Sequence, residues 1–142
     1  MTTTWTDRDE VRFEQKVLRT DGCWHWIGCL WEAGYGQFYL AKRMQRAHRA
    51  AYEHLVGEIP SGLTLDHLCR NTGCVNPAHL EPVKRKENIL RGFGITAMRA
   101  RQTHCIRGHE LSGDNLITIK RGRQCRACNR LRHRKAWKDG TP

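Results

Sequence analysis

The sequence lacks any apolar run long enough to cross a bilayer, and its first ten residues lack the basic-then-apolar pattern of a signal peptide. These absences argue against a membrane protein or a secreted one, so we expect an intracellular, cytoplasmic protein. Only 39% of the 142 residues are hydrophobic, which predicts a small core that needs additional cross-links. Disulfides are rare in a reducing compartment, so the seven cysteines favour metal ligation.

Acidic residues are scarce in the second half of the chain. Residues 84–142 carry sixteen Lys or Arg against four Asp or Glu, whereas residues 1–83 carry nine against ten. The excess of basic over acidic residues that gives the formal net charge of +11 therefore lies entirely after residue 83. One reading is a solvated face that only keeps the protein in solution. A field of one sign on so small a protein, however, favours a polyanion partner such as nucleic acid.

Four metal-binding side chains stand in two closely spaced pairs near the C-terminus. Three residues separate Cys105 from His109, and two separate Cys125 from Cys128. The segment between the pairs predicts a β-hairpin around residues 120–122. Two short-spaced pairs joined by a hairpin are typical of tetrahedral zinc sites. Because four protein ligands would leave no open coordination position, we expect this zinc to be structural.

The stretch DHLCRNTGCVNPAHL, residues 66–80, contains three further ligands, Cys69, Cys74 and His79. A structural zinc site needs a fourth ligand, and Cys23 and Cys29 are the upstream candidates. We favour Cys23, because its segment GCWHW predicts a rigid aromatic strand. Cys29 lies closer to a flexible loop and is left as the spare thiol.

Asp66 and His67 open the same stretch at the end of a predicted strand. The two residues could be no more than a packed pair. A position beside metal-bound backbone would, however, hold the imidazole rigidly, as a general base requires. The Asp66 carboxylate is a hard ligand that suits Mg²⁺, and Asn88, on the helix predicted next, could supply a second oxygen.

The residues DHLCRNTGCVNPAHLEPVKRKEN, 66–88, closely resemble the HNH endonucleases of His-Cys box type that occur in phages and in mobile elements as homing endonucleases. The resemblance extends over roughly residues 20–92. It implies an α+β fold in which a small ββα-metal core, residues 66–92, is stabilised by zinc within a nuclease domain of residues 1–92. We expect a linker at 93–104 and a basic zinc-binding appendage at 105–138 that binds DNA.

The resemblance also implies a metal-dependent hydrolase that cleaves DNA phosphodiester bonds by a single-metal mechanism. His67 is the implied general base, and Asp66 and Asn88 are the implied ligands of one catalytic Mg²⁺ or Mn²⁺. Cys69, Cys74 and His79 match the zinc ligands, with Cys23 as the fourth. The middle asparagine of the plain HNH pattern falls at His79, so we expect a backbone carbonyl to orient the His67 ring instead.

Basic residues precede the predicted active-site helix and surround the second expected zinc site. Phosphate contacts from them would give affinity with little sequence selectivity. Because one active site cuts one strand, cutting both strands in a single encounter would favour a homodimer. The alternatives are a non-catalytic zinc-stabilised DNA-binding protein and an RNA-binding or RNA-cleaving protein. The candidate DNA-binding residues are Arg49, Arg70, Lys84, Arg85, Lys86, Arg91, Arg121, Arg123, Arg126, Arg130, Arg132, Arg134 and Lys135.

Overall fold

The computed structural model describes residues 5–120 and 122–138, with side chains as far as residue 134 in the last helix. Short antiparallel strand pairs and short helices make up two compact units, Met1–Arg91 and Gly92–Pro142, which confirms the α+β class. The elements are α1 (Asp7–Glu14), β1 (Val17–Arg19), β2 (Trp24–Trp26), β3 (Gln37–Leu40), β4 (Arg43–Arg46), α2 (Ala47–Leu55), β5 (Leu63–His67), β6 (Leu80–Lys84), α3 (Arg85–Arg91), α4 (Ile95–Arg101), β7 (Leu116–Ile119), β8 (Gly122–Cys125) and α5 (Arg126–Lys138).

Three aromatic side chains form the centre of the first unit. Phe13 of α1, Trp26 of β2 and Phe38 of β3 are each at most 6% exposed, and their ring centroids lie 5.2–5.9 Å apart. Helix α2 packs against them through a face of small residues, of which Ala47 and Ala51 are fully buried. Burial of large aromatic rings dominates the stability of a small core such as this one.

The β5–β6 hairpin and helix α3 form a ββα motif. The strands pair antiparallel from Leu63 opposite Lys84 to His67 opposite Leu80, and α3 starts directly after β6 and packs on both strands. A second apolar cluster of Ile59, Leu65 and Leu80 anchors the hairpin. This arrangement places Asp66 and His67 at the end of β5, where both side chains are buried.

The second unit consists of helix α4, the β7–β8 hairpin and helix α5. The predicted hairpin is present, with Leu116 opposite Cys125 and Ile119 opposite Gly122. Helix α5 follows β8 without a connecting loop and has 13 residues. Among the described residues, no helix has both the length and the apolar character needed to cross a bilayer.

The segment predicted as a linker, residues 93–104, contains helix α4. The Arg123 guanidinium donates hydrogen bonds to the carbonyl oxygens of Arg99 and Ala100 at 3.2 and 3.0 Å, and Ala97 is fully buried. Carbonyls at the end of a helix need such partners. The sequence analysis missed this helix for two reasons. Arg123, the side chain that binds its last carbonyls, lies over twenty residues away in the sequence. Its N-cap residue makes no side-chain hydrogen bond, so no capping motif marks the start of the helix.

We predict that Gly36→Ala lowers the free energy of unfolding by about 1–3 kcal/mol, because an added methyl overpacks the aromatic core. A Cβ at Gly36 would lie 2.7 Å from the Trp26 ring and 2.9 Å from the Ala47 side chain. Denaturant unfolding of the full chain measures the change. Gly22→Ala is the matched control, because a Cβ there meets no atom within 4 Å. Equal stability of the two variants would contradict this account of the core.

Candidate active site and metal centres

Four side chains of the first unit converge into one Cys/His cluster, Cys23, Cys69, Cys74 and His79, with ligand atoms all within 4.8 Å of one another. His79 Nδ1 lies 3.6 Å from the Sγ atoms of both Cys23 and Cys74. Tetrahedral zinc with its usual bond lengths separates its ligand atoms by about 3.5–3.8 Å. The cluster therefore fits zinc, and of the two upstream cysteines it includes Cys23, whereas Cys29 is exposed and lies outside it.

Strand β2 holds the loop that carries these ligands. The Trp26 amide donates to the carbonyl oxygen of Gly73, and the Val75 amide donates to that of Trp24, both at 2.9 Å. Asn76 donates from Nδ2 to the carbonyl oxygen of Gly22 and accepts from the Ala78 amide, which caps the short 3₁₀ turn that ends at His79. Burial raises the pKa of the Cys74 thiol to about 12, so a thiolate at this position needs a cation beside it.

The second unit contains a cluster of the same composition, Cys105, His109, Cys125 and Cys128. Cys128 Sγ lies 3.6 Å from Cys105 Sγ and 3.3 Å from His109 Nδ1, distances close to those of a tetrahedral site. A turn with Gly108 at φ +79 brings His109 back toward Cys105. The Cys128 amide is the main cause that lowers the pKa of Cys125 to about 6, which favours the thiolate that a metal binds.

The His67 imidazole is 5% exposed, and its Nε2 lies 3.1 Å from the carbonyl oxygen of Cys74. Because a carbonyl only accepts hydrogen bonds, Nε2 carries the proton and Nδ1 keeps a free lone pair. The ring is thus oriented by a backbone carbonyl, as the sequence analysis expects. Burial is the main cause that lowers the pKa of His67 below its usual value, against the opposing effects of the Cys74 carbonyl and the Asp66 carboxylate.

The Asp66 carboxylate is 3% exposed and is held by two arginines. Arg70 Nη1 donates to Oδ1 at 2.7 Å, and Arg91 Nη1 donates to Oδ2 at 3.3 Å. Arg91 is also shared with Glu81 and Glu87, of which Glu87 lies 2.6 Å from its Nη2. Both arginines therefore neutralise a buried carboxylate, a role that the sequence analysis did not foresee for them.

Asn88 lies on α3 one turn before Arg91, and its Nδ2 donates to Thr64 Oγ1 and to the carbonyl oxygen of Leu65, both at 3.3 Å. Side chains alternate along a strand, so Thr64 and Asp66 share the face of β5 that α3 covers. Two residues of α3 therefore reach β5, Arg91 at Asp66 and Asn88 at the two residues before Asp66. With Nδ2 engaged, the Asn88 side-chain oxygen remains for a ligand, and an amide oxygen beside a carboxylate fits Mg²⁺ or Mn²⁺.

The predicted DNA-binding residues differ in their surroundings. Arg123 and Arg126 donate to backbone carbonyls of their own unit, the Arg126 bond to Asp114 being 2.6 Å, and Arg132 donates to Asn129. Lys84 and Lys86 are exposed on the first unit, as are Arg130 and Arg134 on α5. Arg121 lies outside the described residues, and so does the side chain of Lys135.

Three residues near His67 were not predicted from the sequence. The His48 ring, 3% exposed, packs edge-to-face on the His67 ring at 4.7 Å, and the Tyr35 ring lies 5.9 Å from it. The Arg46 guanidinium lies over the Tyr35 ring at 4.7 Å. These residues precede the 66–88 motif by eighteen residues or more, and tertiary packing brings His48 and Tyr35 to the His67 ring.

The HNH endonuclease family model matches residues 45–90, which include α2, the β5–β6 hairpin and most of α3. Protein 2.8 of Escherichia phage T7 is 30% identical to this chain over 111 residues, 78% of the chain and 72% of that protein. Protein 7.7 of the same phage is 32% identical over 68 residues, 48% of the chain and 52% of that protein.

A third relative, the uncharacterized gene 5.3 protein of Enterobacteria phage T3, is 39% identical over 44 residues, 31% of this chain and 44% of that protein. The chain thus spans about half the length of protein 7.7 and of the phage T3 protein. No solved structure matches the chain. The matched motif and the similarity to protein 2.8 across most of both sequences show that the chain belongs to the HNH endonuclease family.

Proposed function

We propose that this chain is a metal-dependent endonuclease that hydrolyses phosphodiester bonds of DNA, with His67 as the general base. The HNH domain by itself indicates a nuclease that acts on nucleic acid. One observation carries the finer proposal: the buried His67 ring is fixed through Nε2 by the Cys74 carbonyl, which leaves Nδ1 as its basic atom. A protein that only binds DNA has no use for a rigid, neutral imidazole beside a buried carboxylate.

His67 takes a proton from the attacking water at Nδ1. The lowered pKa keeps the ring neutral at pH 7, and therefore able to accept this proton. The Cys74 carbonyl accepts a hydrogen bond from Nε2 before and after the transfer, so it also stabilises the imidazolium that forms. The nearby Asp66 charge favours the same protonated state.

Asp66 and Asn88 would hold one Mg²⁺ or Mn²⁺ through oxygen atoms. A cation held there would supply stabilisation of the negative charge that develops on the leaving 3′ oxygen. Arg70 and Arg91 each occupy one position on the Asp66 carboxylate, which has lone pairs left for a further partner. Asn88 is kept in place by its two hydrogen bonds to β5.

We assign a structural zinc ion to each Cys/His cluster, because each set offers four ligands and no open position. The first zinc would fix the loop whose Cys74 carbonyl orients His67, and so support the active site indirectly. The second would fix the start of α5, which Cys125 and Cys128 flank. Zinc is borderline-soft and binds Cys and His, whereas the oxygen donors of Asp66 and Asn88 suit a harder ion.

The second unit is the proposed DNA anchor, and the 1–92 segment the nuclease domain. Residues 92–142 carry twelve Lys or Arg against three Asp or Glu. Arg130 and Arg134 are exposed on successive turns of α5, so one side of this helix can follow a phosphate backbone.

Because the relatives are phage proteins, we place the activity in the cytoplasm of an infected cell. A homodimer would serve to cut both strands.

We predict two tightly bound zinc ions per chain by metal analysis after dialysis. Cys23→Ser should lower the zinc content to about one and lower the melting temperature, because the first site loses a ligand. Cys29→Ser is the matched control and should retain both zinc ions, since Cys29 lies outside the cluster. Two zinc ions retained in Cys23→Ser would refute the first ligand set.

We predict that His67→Gln loses cleavage of supercoiled plasmid by roughly a hundredfold or more, the usual contribution of a general base. The glutamine amide can still donate to the Cys74 carbonyl, so the loop and the DNA affinity should be retained. His54→Gln, at an exposed histidine of α2, is the control and should leave the rate unchanged. Equal losses of rate and affinity in His67→Gln would indicate a structural histidine and weaken the enzyme proposal.

We predict that the double variant Arg130→Gln/Arg134→Gln binds DNA more weakly and with a shallower salt dependence. Each lost phosphate contact reduces the slope of log affinity against log salt by about 0.9. Fluorescence anisotropy with a labelled duplex, at several salt concentrations and without added Mg²⁺, measures both quantities. Arg8→Gln, an exposed arginine of α1, is the control. An unchanged slope in the double variant would exclude α5 as the DNA anchor.

A further inference from the structure

A cleft of about 380 Å³ in the first unit lies between the end of β4, the start of α2 and the α3 helix. Three arginines line it, Arg46, Arg49 and Arg85, and none of its described lining residues is acidic. Asn88, the proposed metal ligand, lines the same cleft. A concave site with clustered positive charge concentrates an anion.

The three guanidinium groups are only partly neutralised. Arg49 forms an ion pair with Glu53 at 3.5 Å, a distance at the limit of a hydrogen bond. Arg46 contacts the face of the Tyr35 ring, which orients the guanidinium without cancelling its charge. The Arg85 side chain makes no hydrogen bond or ion pair with any residue in the described ranges 5–120 and 122–138. By contrast, Arg70 and Arg91 are both bound to Asp66.

His48 is the one buried polar residue of this cleft that lacks a partner. Its Nδ1 is buried and makes no hydrogen bond within the described part of the chain. Burial is the main cause that lowers the pKa of His48 to about 3, so the ring is neutral and presents one N–H. Buried polar atoms are nearly always hydrogen-bonded, so an orphaned ring in an arginine-lined cleft is a mark of a ligand site.

We propose that this cleft binds the phosphodiester group that is cut, with Arg46, Arg49 and Arg85 contacting its non-bridging oxygens and His48 lying against it as a neutral hydrogen-bonding group. The inference rests on the proposed endonuclease function and identifies which arginines hold the substrate. Two neighbours fix the location: Asn88 lines the cleft, and the His48 ring packs directly on the ring of His67. A phosphate in the cleft therefore lies beside Asn88 and is separated from His67 by the His48 ring, since His67 itself does not line the cleft.

Arg85 also differs from the basic residues next to it in the sequence. It is the first residue of α3, and it lines the cleft together with Asn88, whereas Lys84 and Lys86 line a separate groove with Arg91. Arg46 is likewise distinct on its strand, because Arg43, at the other end of β4, does not line the cleft. Each element thus directs one particular arginine to the phosphate.

The test uses the full-length, zinc-bound chain and four variants, Arg46→Ala, Arg85→Ala, Arg85→Lys and Arg43→Ala. Affinity for a labelled 30-base-pair duplex is measured by anisotropy over a range of salt, without added Mg²⁺ or Mn²⁺. We expect the salt slope to fall by about 0.9 in Arg46→Ala and in Arg85→Ala, and to stay unchanged in Arg43→Ala and Arg85→Lys. Arg85→Ala removes no internal contact, so it keeps the test valid if Arg46→Ala folds poorly.

Nicking of supercoiled plasmid with added Mg²⁺ or Mn²⁺ is the second measurement. We expect kcat/KM to fall by roughly ten- to a hundredfold in Arg46→Ala and Arg85→Ala, with Arg43→Ala unaffected, since each lost charge-assisted contact to the phosphate weakens transition-state binding by about that factor. Slopes and rates in both cleft variants equal to those of Arg43→Ala would overturn the phosphate site and leave the endonuclease proposal standing. A wild-type chain that does not nick DNA, but shows the expected slopes, would overturn the endonuclease proposal while keeping the phosphate site.

Discussion

The hydrogen bond from His67 Nε2 to the carbonyl oxygen of Cys74 joins two parts of the molecule that local structure alone would leave independent. On one side is the end of β5, which positions Asp66 and His67. On the other is the loop of the first Cys/His cluster, which β2 holds through two backbone hydrogen bonds. The orientation of the imidazole therefore depends on the loop, and the loop depends on convergence of four ligands, one of them over forty residues upstream.

Positive charge is divided between two tasks in the first unit. Arg70 and Arg91 form ion pairs with the buried Asp66 carboxylate. Without them, the ionised carboxylate would carry a large desolvation free energy, because it is removed from water. Arg46 and Arg85 have no acidic partner among the described residues and face a cleft. The distinction follows from where each residue lies. Arg70, in the loop after β5, and Arg91, at the end of α3, meet this carboxylate. Arg46, at the end of β4, and Arg85, at the start of α3, line the cleft.

Two features that the sequence analysis did not foresee have a common physical origin. Residues 93–104 were predicted as a linker because seven helical residues show little periodicity, yet α4 forms with its last carbonyls bound by Arg123. Arg123, a predicted DNA contact, also donates hydrogen bonds to the backbone of its own unit, which the sequence analysis did not foresee. In both cases, a long-range hydrogen bond decides the structure. A pattern of neighbouring residues contains no information about such a partner.

The sequence by itself determined the ββα motif, the HNH family, three ligands of the first Cys/His cluster, all four ligands of the second, and the concentration of positive charge after residue 83. These features depend on the spacing and type of residues close together in the chain. Tertiary structure alone decided that Cys23 and not Cys29 completes the first cluster, that two arginines hold Asp66, and that His48 packs on His67. The physical reason is that each of these contacts requires two side chains to meet in space, and packing of the aromatic core around β2, β3 and α2 fixes where they meet.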